Sequence, residues 1–214
     1  MLKSNQWSPL QFITNGDTIE QILWGAQVAV EGGCRWVQLR WKDAADRDLE
    51  AAAMLMKIMC AEYNAVLIVD DNVELAKRMG LDGVHLGLTD MPIHQARAIL
   101  GDDFIIGGTA NTPEQAVRQV SEGADYLGIG PYKFTKTKKN ISALLGTEGY
   151  HKALAALEAI HRVPVVAIGG IELDDIDDVK ATGVDGVAIS GAILRSKNPI
   201  VTTAKILKKL STNP

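Results

Sequence analysis

The feature that most restricts the fold of this 214-residue chain is the regular alternation of short apolar runs with longer segments of helical spacing. The runs are a few residues long, which is typical of buried strands, and a polar or glycine junction follows each one. The predicted strands are Gln11–Thr14, Trp36–Arg40, Val66–Val69, Gly83–Leu86, Phe104–Gly107, Tyr126–Gly128, Val163–Ile168 and Gly186–Ile189. The predicted helices are Thr18–Val30, Ala45–Tyr63, Val73–Met79, Pro92–Leu100, Pro113–Ser121, Gly149–His161, Asp175–Ala181 and Ile200–Leu210.

Strands that alternate with helices predict a parallel sheet of the α/β class. Eight such units in a chain of this length match a (β/α)8 TIM barrel, so we expect a single TIM-barrel domain over residues 1–214. The competing architecture is an open doubly wound sheet, but such sheets usually have fewer strands. Helix starts carry their own signals: Thr112 before Pro113 is a predicted cap, as are Asn72 and Asp174. In a barrel, reactive side chains gather at the C-terminal ends of the strands.

Composition excludes several functional classes. Asp plus Glu number 26 against 22 for Lys plus Arg, which gives a net charge of -4. That balance is unlike that of proteins that bind nucleic acids or membrane surfaces. The longest apolar stretch, Val163–Ile171, is about half as long as a spanning helix, and Met1–Pro9 has no secretory pattern. We therefore expect a cytoplasmic protein that acts on small molecules, while its oligomeric state stays open.

The two cysteines, Cys34 and Cys60, are too few for a disulfide framework and do not have the spacing of a metal site. Both lie in apolar surroundings of helical or strand-like character. We expect them to be buried and chemically inert thiols.

The second predicted strand ends in a face of polar side chains. Period-two alternation places Gln38, Arg40 and Lys42 on one side of the strand and apolar residues on the other. The guanidinium of Arg40 and the ammonium of Lys42 suit a multiply charged phosphate ligand at the barrel mouth. The alternative interpretation is that these residues form a solvated face on an edge strand. A closed barrel has no edge strands, so the expected fold disfavours this alternative.

Acidic residues follow the third and fourth predicted strands. Asp70, Asp71 and Asn72 come directly after the third strand, and Asp90 follows the fourth. Because adjacent carboxylates repel each other, their crowding at strand ends favours a bound cation, and Mg²⁺ binds through one or two carboxylates plus substrate phosphates. One of Asp70 and Asn72 is expected to cap a helix instead. For His85, at the end of the fourth strand, a structural role and a functional role stay equally open.

Two further segments predict contacts with phosphate. The segment after the sixth strand contains Thr135, Thr137 and several lysines, which suit either a cationic lid or a solvated loop. The seventh and eighth strands end in Gly169-Gly170 and in Ser190. Loops at these positions of a barrel commonly bind phosphate through backbone N–H groups, although the glycines are also compatible with simple turns. A cationic site with metal and a neutral backbone site together indicate two phosphorylated substrates.

Taken together, these residues resemble the thiamine phosphate synthase family of phosphate-binding TIM barrels. The resemblance extends from Phe12 to about Ala192. The motifs that carry it are Gln38-x-Arg40-x-Lys42, Asp70-Asp71-Asn72, Asp82–Gly87 with Asp90, Gly128-x-Gly130-Pro131, Thr135-x-Thr137-Lys138 and Ile168-Gly169-Gly170-Ile171.

The resemblance implies a transferase that couples hydroxymethylpyrimidine diphosphate to thiazole phosphate, with dissociative, Mg²⁺-assisted loss of diphosphate. It implies that Asp71 and Asp90 bind Mg²⁺ and that Arg40, Lys42 and Lys138 act catalytically. The residues implied to contact the pyrimidine substrate are Gln38, Arg40, Lys42, Asp70 and Lys138, with Thr109 also contacting substrate. The residues implied to hold the thiazole phosphate are Thr135, Thr137, Gly170, Ile189 and Ser190.

Three positions depart from the family pattern. Asp70, Leu88 and Thr109 stand where members often have Asn, Gln and Ser. Thr109 keeps the hydroxyl group, whereas Asp70 exchanges an amide donor for a charge and is a candidate to join the metal site. Two alternative functions remain on the same scaffold: a thiazole tautomerase-like isomerase and a non-catalytic thiamine-phosphate binder.

Overall fold

Eight parallel strands form a closed barrel in the computed structural model, which describes residues 7–133 and 145–212. The strands are β1 (Leu10–Ile13), β2 (Trp36–Leu39), β3 (Val66–Asp70), β4 (Gly83–Leu86), β5 (Ile105–Ala110), β6 (Tyr126–Ile129), β7 (Val165–Ile168) and β8 (Gly186–Ile189). Each strand pairs with the next one along the chain, and β8 pairs with β1 through the register Phe12↔Ile189. The predicted TIM barrel is confirmed, and the β1–β8 pairing excludes the open sheet.

Helices surround the barrel and connect its strands. Those in the described ranges are α1 (Ile19–Glu31), α2 (Asp46–Glu62), α3 (Val73–Met79), α4 (Ile93–Leu100), α5 (Pro113–Ser121), α6 (Gly146–Glu158), α7 (Ile176–Ala181), α8 (Gly191–Leu194) and α9 (Pro199–Ser211). Two predicted caps are confirmed. The Thr112 hydroxyl accepts from the Gln115 N–H at 3.2 Å, and the Asn72 side chain accepts from the Leu75 N–H at 2.9 Å.

Two local predictions were wrong, and one short helix was missed. Asp174 does not cap a helix, because a 3-10 turn over Leu173–Asp175 begins one position earlier, with Glu172 and Asp175 forming a reciprocal capping box. The fifth strand, predicted to end at Gly107, continues to Ala110 because its last residues pair with β6. Helix α8 was not predicted, because four residues are too few to show helical periodicity.

Apolar side chains form two separate buried clusters, one on each side of the strands. The larger cluster lies between the barrel and the helices, where alternate strand residues such as Phe12, Val37 and Leu67 meet helix residues such as Ile22 and Met56. The smaller cluster consists of side chains on the opposite strand faces: Ile13, Trp36, Val66, Ile68, Ile105, Tyr126, Val166 and Ala188. Because it fills the barrel interior with apolar groups, polar side chains on these faces must find partners near the barrel mouth.

Aspartates that precede alternate strands form hydrogen bonds with neighbouring strands at the N-terminal end of the barrel. The residue before β4, β6 and β8 is in each case an aspartate that accepts a hydrogen bond from a backbone N–H at the start of the preceding strand. The bonds run from Leu67 N to Asp82 (2.7 Å), from Ile106 N to Asp125 (2.8 Å) and from Val165 N to Asp185 (2.8 Å). Arg97 also binds Asp125 at 2.6 Å, and this ion pair is largely buried. These carboxylates satisfy strand-end amides that helices do not cover.

Both cysteines are buried, as expected from the sequence. Burial raises the pKa of the Cys34 thiol to about 11 and that of the Cys60 thiol to about 12. Neither thiol therefore ionises near neutral pH, which fits the prediction that they are inert. Within residues 7–133 and 145–212, no helix combines the length and apolar character needed to cross a membrane.

The aspartate bonds predict unequal losses of stability. The side chain of Asp125 is 7% exposed and that of Asp185 is 34% exposed. Asp125→Ala leaves Arg97 without its buried partner and should lower the free energy of unfolding by about 2–3 kcal/mol. The matched Asp185→Ala variant should lose about 1 kcal/mol. Urea denaturation followed by circular dichroism measures both losses, and equal losses would contradict the role of the buried ion pair.

Candidate active site

A cavity of about 540 Å³ lies where the strands end, bordered by the loops that follow them. Every predicted site residue that the structure describes lines this cavity: Gln38, Arg40, Lys42, Asp70, Asp71, Asp90, Thr109, Gly170, Ile189 and Ser190. These residues come from distant parts of the sequence and meet because parallel strands bring their C-terminal ends to one face. Thr135, Thr137 and Lys138 lie outside the described residues.

An ion pair between β2 and β3 forms one wall of the cavity. The Arg40 Nε atom lies 3.2 Å from Asp70 Oδ2, and the Gln38 amide donates to Asp70 Oδ1. The two oxygens of Asp70 therefore have partners in Gln38 of β2 and in Arg40, which directly follows β2. The Arg40 Nη2 atom is buried and has no hydrogen-bond partner among the described residues. Because an unsatisfied buried guanidinium donor is costly, this atom is suited to receive an anionic ligand.

Two carboxyl groups face each other beside this ion pair. Asp71 has a left-handed backbone with φ 62°, its N–H donates to the His85 carbonyl at 2.9 Å, and its side chain is hydrogen-bonded to that of Asp90. The Asp90 carboxyl is itself held by the Gly87 N–H at 2.7 Å. Burial, with the charges of Asp70 and Asp90, raises the pKa of Asp71 to about 8, although Lys42 opposes the shift. The pair therefore carries an electrostatic cost in the absence of a cation.

The Asp71–Asp90 pair fits a magnesium ion by the chemistry of its donors. Both ligands offer hard oxygen atoms, and both are oriented by backbone contacts from neighbouring loops. In the described ranges, no group of three or more His, Cys, Asp or Glu side chains has the geometry to hold a metal ion. Mg²⁺ often binds through only two carboxylates and completes its shell with water and substrate phosphate, so two are enough for this ion.

The wall of the cavity that follows β7 and β8 consists largely of backbone, and its two charged residues, Glu172 and Arg195, are paired with each other at 2.7 Å. Gly169 and Gly170 follow β7 with φ angles of 100° and 67°, which side chains other than glycine rarely allow. A Cβ atom on Gly169 would also lie 2.8 Å from the Pro131 Cβ. After the neighbouring strand β8, the Ser190 hydroxyl is buried without a hydrogen-bond partner in the part of the chain that the structure describes. Close backbone approach and an unused hydroxyl are features of a phosphate site.

Below the cavity, buried polar side chains form a continuous set of hydrogen bonds across the barrel. The Gln11 amide nitrogen donates to Gln38 Oε1 at 3.1 Å and to Tyr126 Oη at 2.9 Å. The His85 ring lies between two hydroxyl groups, with Nδ1 2.8 Å from Tyr126 Oη and Nε2 2.9 Å from Thr109 Oγ1. Both ring nitrogens of His85 therefore have hydrogen-bond partners inside the barrel, which fits a structural role. The side chain also lines the cavity.

Sequence reasoning missed Gln11 and Tyr126. Alternation along β1 was a usable signal for Gln11, because it places this residue on the face opposite Leu10 and Phe12. Tyr126 begins an apolar strand, and nothing local distinguishes its hydroxyl from that of a core tyrosine. Its space is provided by Gly107 on β5, where a Cβ atom would lie 2.2 Å from the Tyr126 ring. That contact depends on strand register, which the sequence did not specify.

Comparisons with known proteins agree with one another. A family model described as thiamine monophosphate synthase matches residues 10–193. The chain is 54% identical to the thiamine-phosphate synthase of Bacteroides fragilis over 199 residues, 92% of this chain and 98% of that one. It is 45% identical to the enzyme of the same name from Flavobacterium psychrophilum over 205 residues, 95% of this chain and 100% of that one. The solved thiamine phosphate pyrophosphorylase from Pyrococcus furiosus superposes with a TM-score of 0.84 at 31% identity, over 98% of this chain and 100% of that one.

The neighbouring carboxyl groups of Asp71 and Asp90 should lower the stability of the fold without a cation and should increase its affinity for Mg²⁺. Asp71→Asn removes a carboxyl group whose pKa is raised in the folded state and which therefore costs stability at neutral pH, so the variant should melt about 2–4 °C above the wild type in a chelator, or about 1 kcal/mol at this chain length. Adding Mg²⁺ should raise the melting temperature of the wild type more than that of the variant. Thermal denaturation followed by circular dichroism measures both shifts.

Asp43→Asn is the matched control for this experiment. Asp43 is exposed and has a backbone φ of 63°, close to that of Asp71, so it reports the preference of asparagine for left-handed backbone alone. If the two variants gain the same stability, or if Asp71→Asn melts below the wild type in chelator, the carboxyl pair is not the source of the effect.

Proposed function

The chain belongs to the thiamine monophosphate synthase family, and on that premise we propose that it joins hydroxymethylpyrimidine diphosphate to thiazole phosphate. The products are thiamine phosphate and diphosphate. The observation that carries this proposal is that one cavity has two walls of different chemistry, one with Arg40 and a carboxyl pair and one with glycine backbone and the unpartnered Ser190 hydroxyl. Two phosphorylated substrates that react with each other require two such walls facing one space.

The proposed reaction forms one carbon–nitrogen bond and breaks one carbon–oxygen bond. Diphosphate leaves the pyrimidine methylene carbon with the bonding electrons, and the thiazole nitrogen donates its lone pair to the same carbon. We propose a dissociative order, in which the carbon–oxygen bond breaks first and the methylene carbon carries a transient positive charge. This order suits a cavity that offers cations to the leaving group and, among the residues lining it, no serine or cysteine paired with a base.

The cationic wall would stabilise the departing diphosphate. Arg40 is held by Asp70, so its guanidinium is already oriented when the anion arrives, and Lys42 adds a second positive charge at the cavity. Asp71 and Asp90 are the residues that would hold Mg²⁺, which would neutralise charge on the diphosphate when bound. Lys138 is proposed to contact the same group, on the family resemblance alone. Gln38 and Asp70 would contact the pyrimidine substrate beside them.

The wall that follows β7 and β8 would hold the second substrate. Gly170, Ile189 and Ser190 line the cavity there and would bind the thiazole phosphate, joined by Thr135 and Thr137 on the family resemblance. Ser190 supplies a hydroxyl with no partner among the described residues, and a phosphate oxygen would satisfy it. Binding through backbone and hydroxyl groups leaves this phosphate in place, because Arg195, the cation that lines this part of the cavity, is already paired with Glu172 at 2.7 Å.

Two other functions on this scaffold make different demands on the cavity. An isomerase that acts on the thiazole alone has no use for the Arg40 guanidinium and the carboxyl pair together. A thiamine-phosphate binder without catalysis does not need two neighbouring carboxyl groups at a position where burial and nearby charges raise the pKa of Asp71 to about 8. Both alternatives are therefore less well supported by these residues than the coupling reaction.

We expect the purified protein to form thiamine phosphate and diphosphate in equal amounts from the two substrates when Mg²⁺ is present, and to stop when a chelator is added. Chromatography of the product with a coupled diphosphate assay measures both yields. A folded protein that binds thiamine phosphate but makes none would favour the binder. Interconversion of thiazole isomers without use of the pyrimidine substrate would favour the isomerase.

Arg40→Gln tests the cationic wall directly, because it removes the charge and keeps a hydrogen-bonding side chain. We expect kcat/KM to fall about 100-fold, as when one oriented donor to a developing charge is lost. Arg78→Gln is the control, since the ion pair of Arg78 with Glu50 is exposed on the outside of the barrel and contributes little. If both variants keep wild-type kcat/KM, Arg40 does not stabilise the leaving group.

A further inference from the structure

One hydrogen-bonded path runs through the barrel interior from Asp70 to Thr109. It passes from Asp70 to Gln38, Gln11, Tyr126, His85 and finally Thr109, and each step is a side-chain hydrogen bond. The intermediate residues are buried, with at most 6% of any of them exposed. Its two ends, Asp70 and Thr109, line the same cavity. The path therefore connects two sides of the candidate active site through the barrel interior, and Gln38 and His85 on this path also line the cavity.

The carboxylate of Asp70 sets the direction of the first bonds. Paired with Arg40, Asp70 is an anion that accepts hydrogen bonds and cannot donate them. The Gln38 amide must therefore present its N–H to Asp70 and its oxygen to Gln11. Gln11 in turn must place its NH₂ group towards Gln38, and the second hydrogen of that group lies towards Tyr126 Oη at 2.9 Å. An asparagine at position 70 would not impose this order, because an amide can either donate or accept.

The Tyr126 hydroxyl connects this direction of hydrogen bonds to His85. The Tyr126 oxygen accepts from Gln11, and its one hydrogen has His85 Nδ1, at 2.8 Å, as its acceptor. If the His85 Nδ1 carried a hydrogen instead, the Tyr126 hydroxyl hydrogen would have no acceptor among the described residues, and burial makes an unsatisfied donor costly. Burial also raises the pKa of Tyr126 above its ordinary value, so this hydroxyl stays protonated at neutral pH.

The final bond fixes the hydroxyl of Thr109. With Nδ1 accepting from Tyr126, the neutral ring of His85 carries its hydrogen on Nε2 and donates it to Thr109 Oγ1 at 2.9 Å. The hydroxyl of Thr109 then keeps its own hydrogen for an acceptor in the cavity. We propose that Gln11, Tyr126 and His85 are positioning residues that hold Thr109 as a hydrogen-bond donor towards an acceptor atom of the substrate, in a direction set by Asp70. The substrate role of Thr109 rests on the proposed function.

The state of the His85 ring gives a test that needs no activity. The chain has four histidines, and the spectrum of His85→Gln identifies the signals of His85. In long-range ¹H–¹⁵N correlation spectra of the wild type above pH 7, Nε2 should resonate as a protonated nitrogen and Nδ1 as an unprotonated one. A ring protonated on Nδ1, or on both nitrogens, would overturn the proposed direction.

Tyr126→Phe should release the ring from this state, and Tyr150→Phe is its matched control. Tyr150 is also a fully buried tyrosine, but its hydroxyl donates to the Ile129 carbonyl, outside the path. We expect the Tyr126→Phe spectrum to show a mixture of the two His85 tautomers, and the Tyr150→Phe spectrum to match the wild type. A single unchanged tautomer in Tyr126→Phe would count against the role of Tyr126.

A double-mutant cycle tests whether Tyr126 acts through Thr109. We expect Tyr126→Phe to lower kcat/KM about tenfold, Thr109→Val to lower it by at least as much, and Thr109→Ser to restore most of it. In the Thr109→Val background, Tyr126→Phe should change kcat/KM less than twofold, because the group that it positions is already absent. Independent, multiplying losses would show that Tyr126 only stabilises the fold.

The two kinds of measurement separate failure of this inference from failure of the proposed function. The histidine spectra report the direction of the path whether or not the protein makes thiamine phosphate. If the spectra agree but the wild type has no synthase activity, the proposed function fails and the direction of the path stands. If synthase activity is present and the spectra or the cycle disagree, the positioning role fails alone.

Discussion

The pairing of β8 with β1 is the constraint on which the cavity, the ion pair and the buried polar path all depend. An open sheet would leave Phe12 and Ile189 on opposite edges, whereas closure places them side by side. Closure also points alternate side chains of every strand into one enclosed space. Groups far apart in sequence then meet within hydrogen-bonding distance, as Gln11 and Tyr126 do at 2.9 Å. The closed topology therefore determines which residues meet at the site, whatever the chemistry of each one.

A polar group that enters an enclosed interior is costly unless another polar group satisfies it. At the level of Val66 and Ile68 the interior is apolar, and nearer the mouth the polar side chains are joined by hydrogen bonds into one path. A path of this kind has a direction wherever one end can only accept hydrogen bonds. In this chain that end is Asp70, where the family resemblance leads us to expect Asn. The sequence alone did not suggest that this exchange would set the direction of hydrogen bonds inside the barrel.

The proposed function assigns to the cavity two different ways of binding phosphate. Arg40 and the Asp71–Asp90 pair bring charge to one wall, and the cost of that charge is visible in the raised pKa of Asp71. The wall formed by Gly170 and Ser190 uses backbone and hydroxyl groups instead. A reaction in which one phosphate group departs and another stays needs this asymmetry, because charge stabilisation favours the departing anion.

The sequence by itself determined the eight strand–helix units, the caps at Asn72 and Thr112, and the residue types that line the cavity, because periodicity and capping are local properties. It left the fifth strand too short and did not find Gln11 or Tyr126, whose importance lies in contacts between strands. Only the tertiary structure decided that Asp70 binds Arg40 while Asp71 faces Asp90, although the two aspartates are adjacent in the chain. Adjacent side chains at a strand end diverge, and which partners they reach depends on the register of the neighbouring strands and loops, which no local pattern encodes.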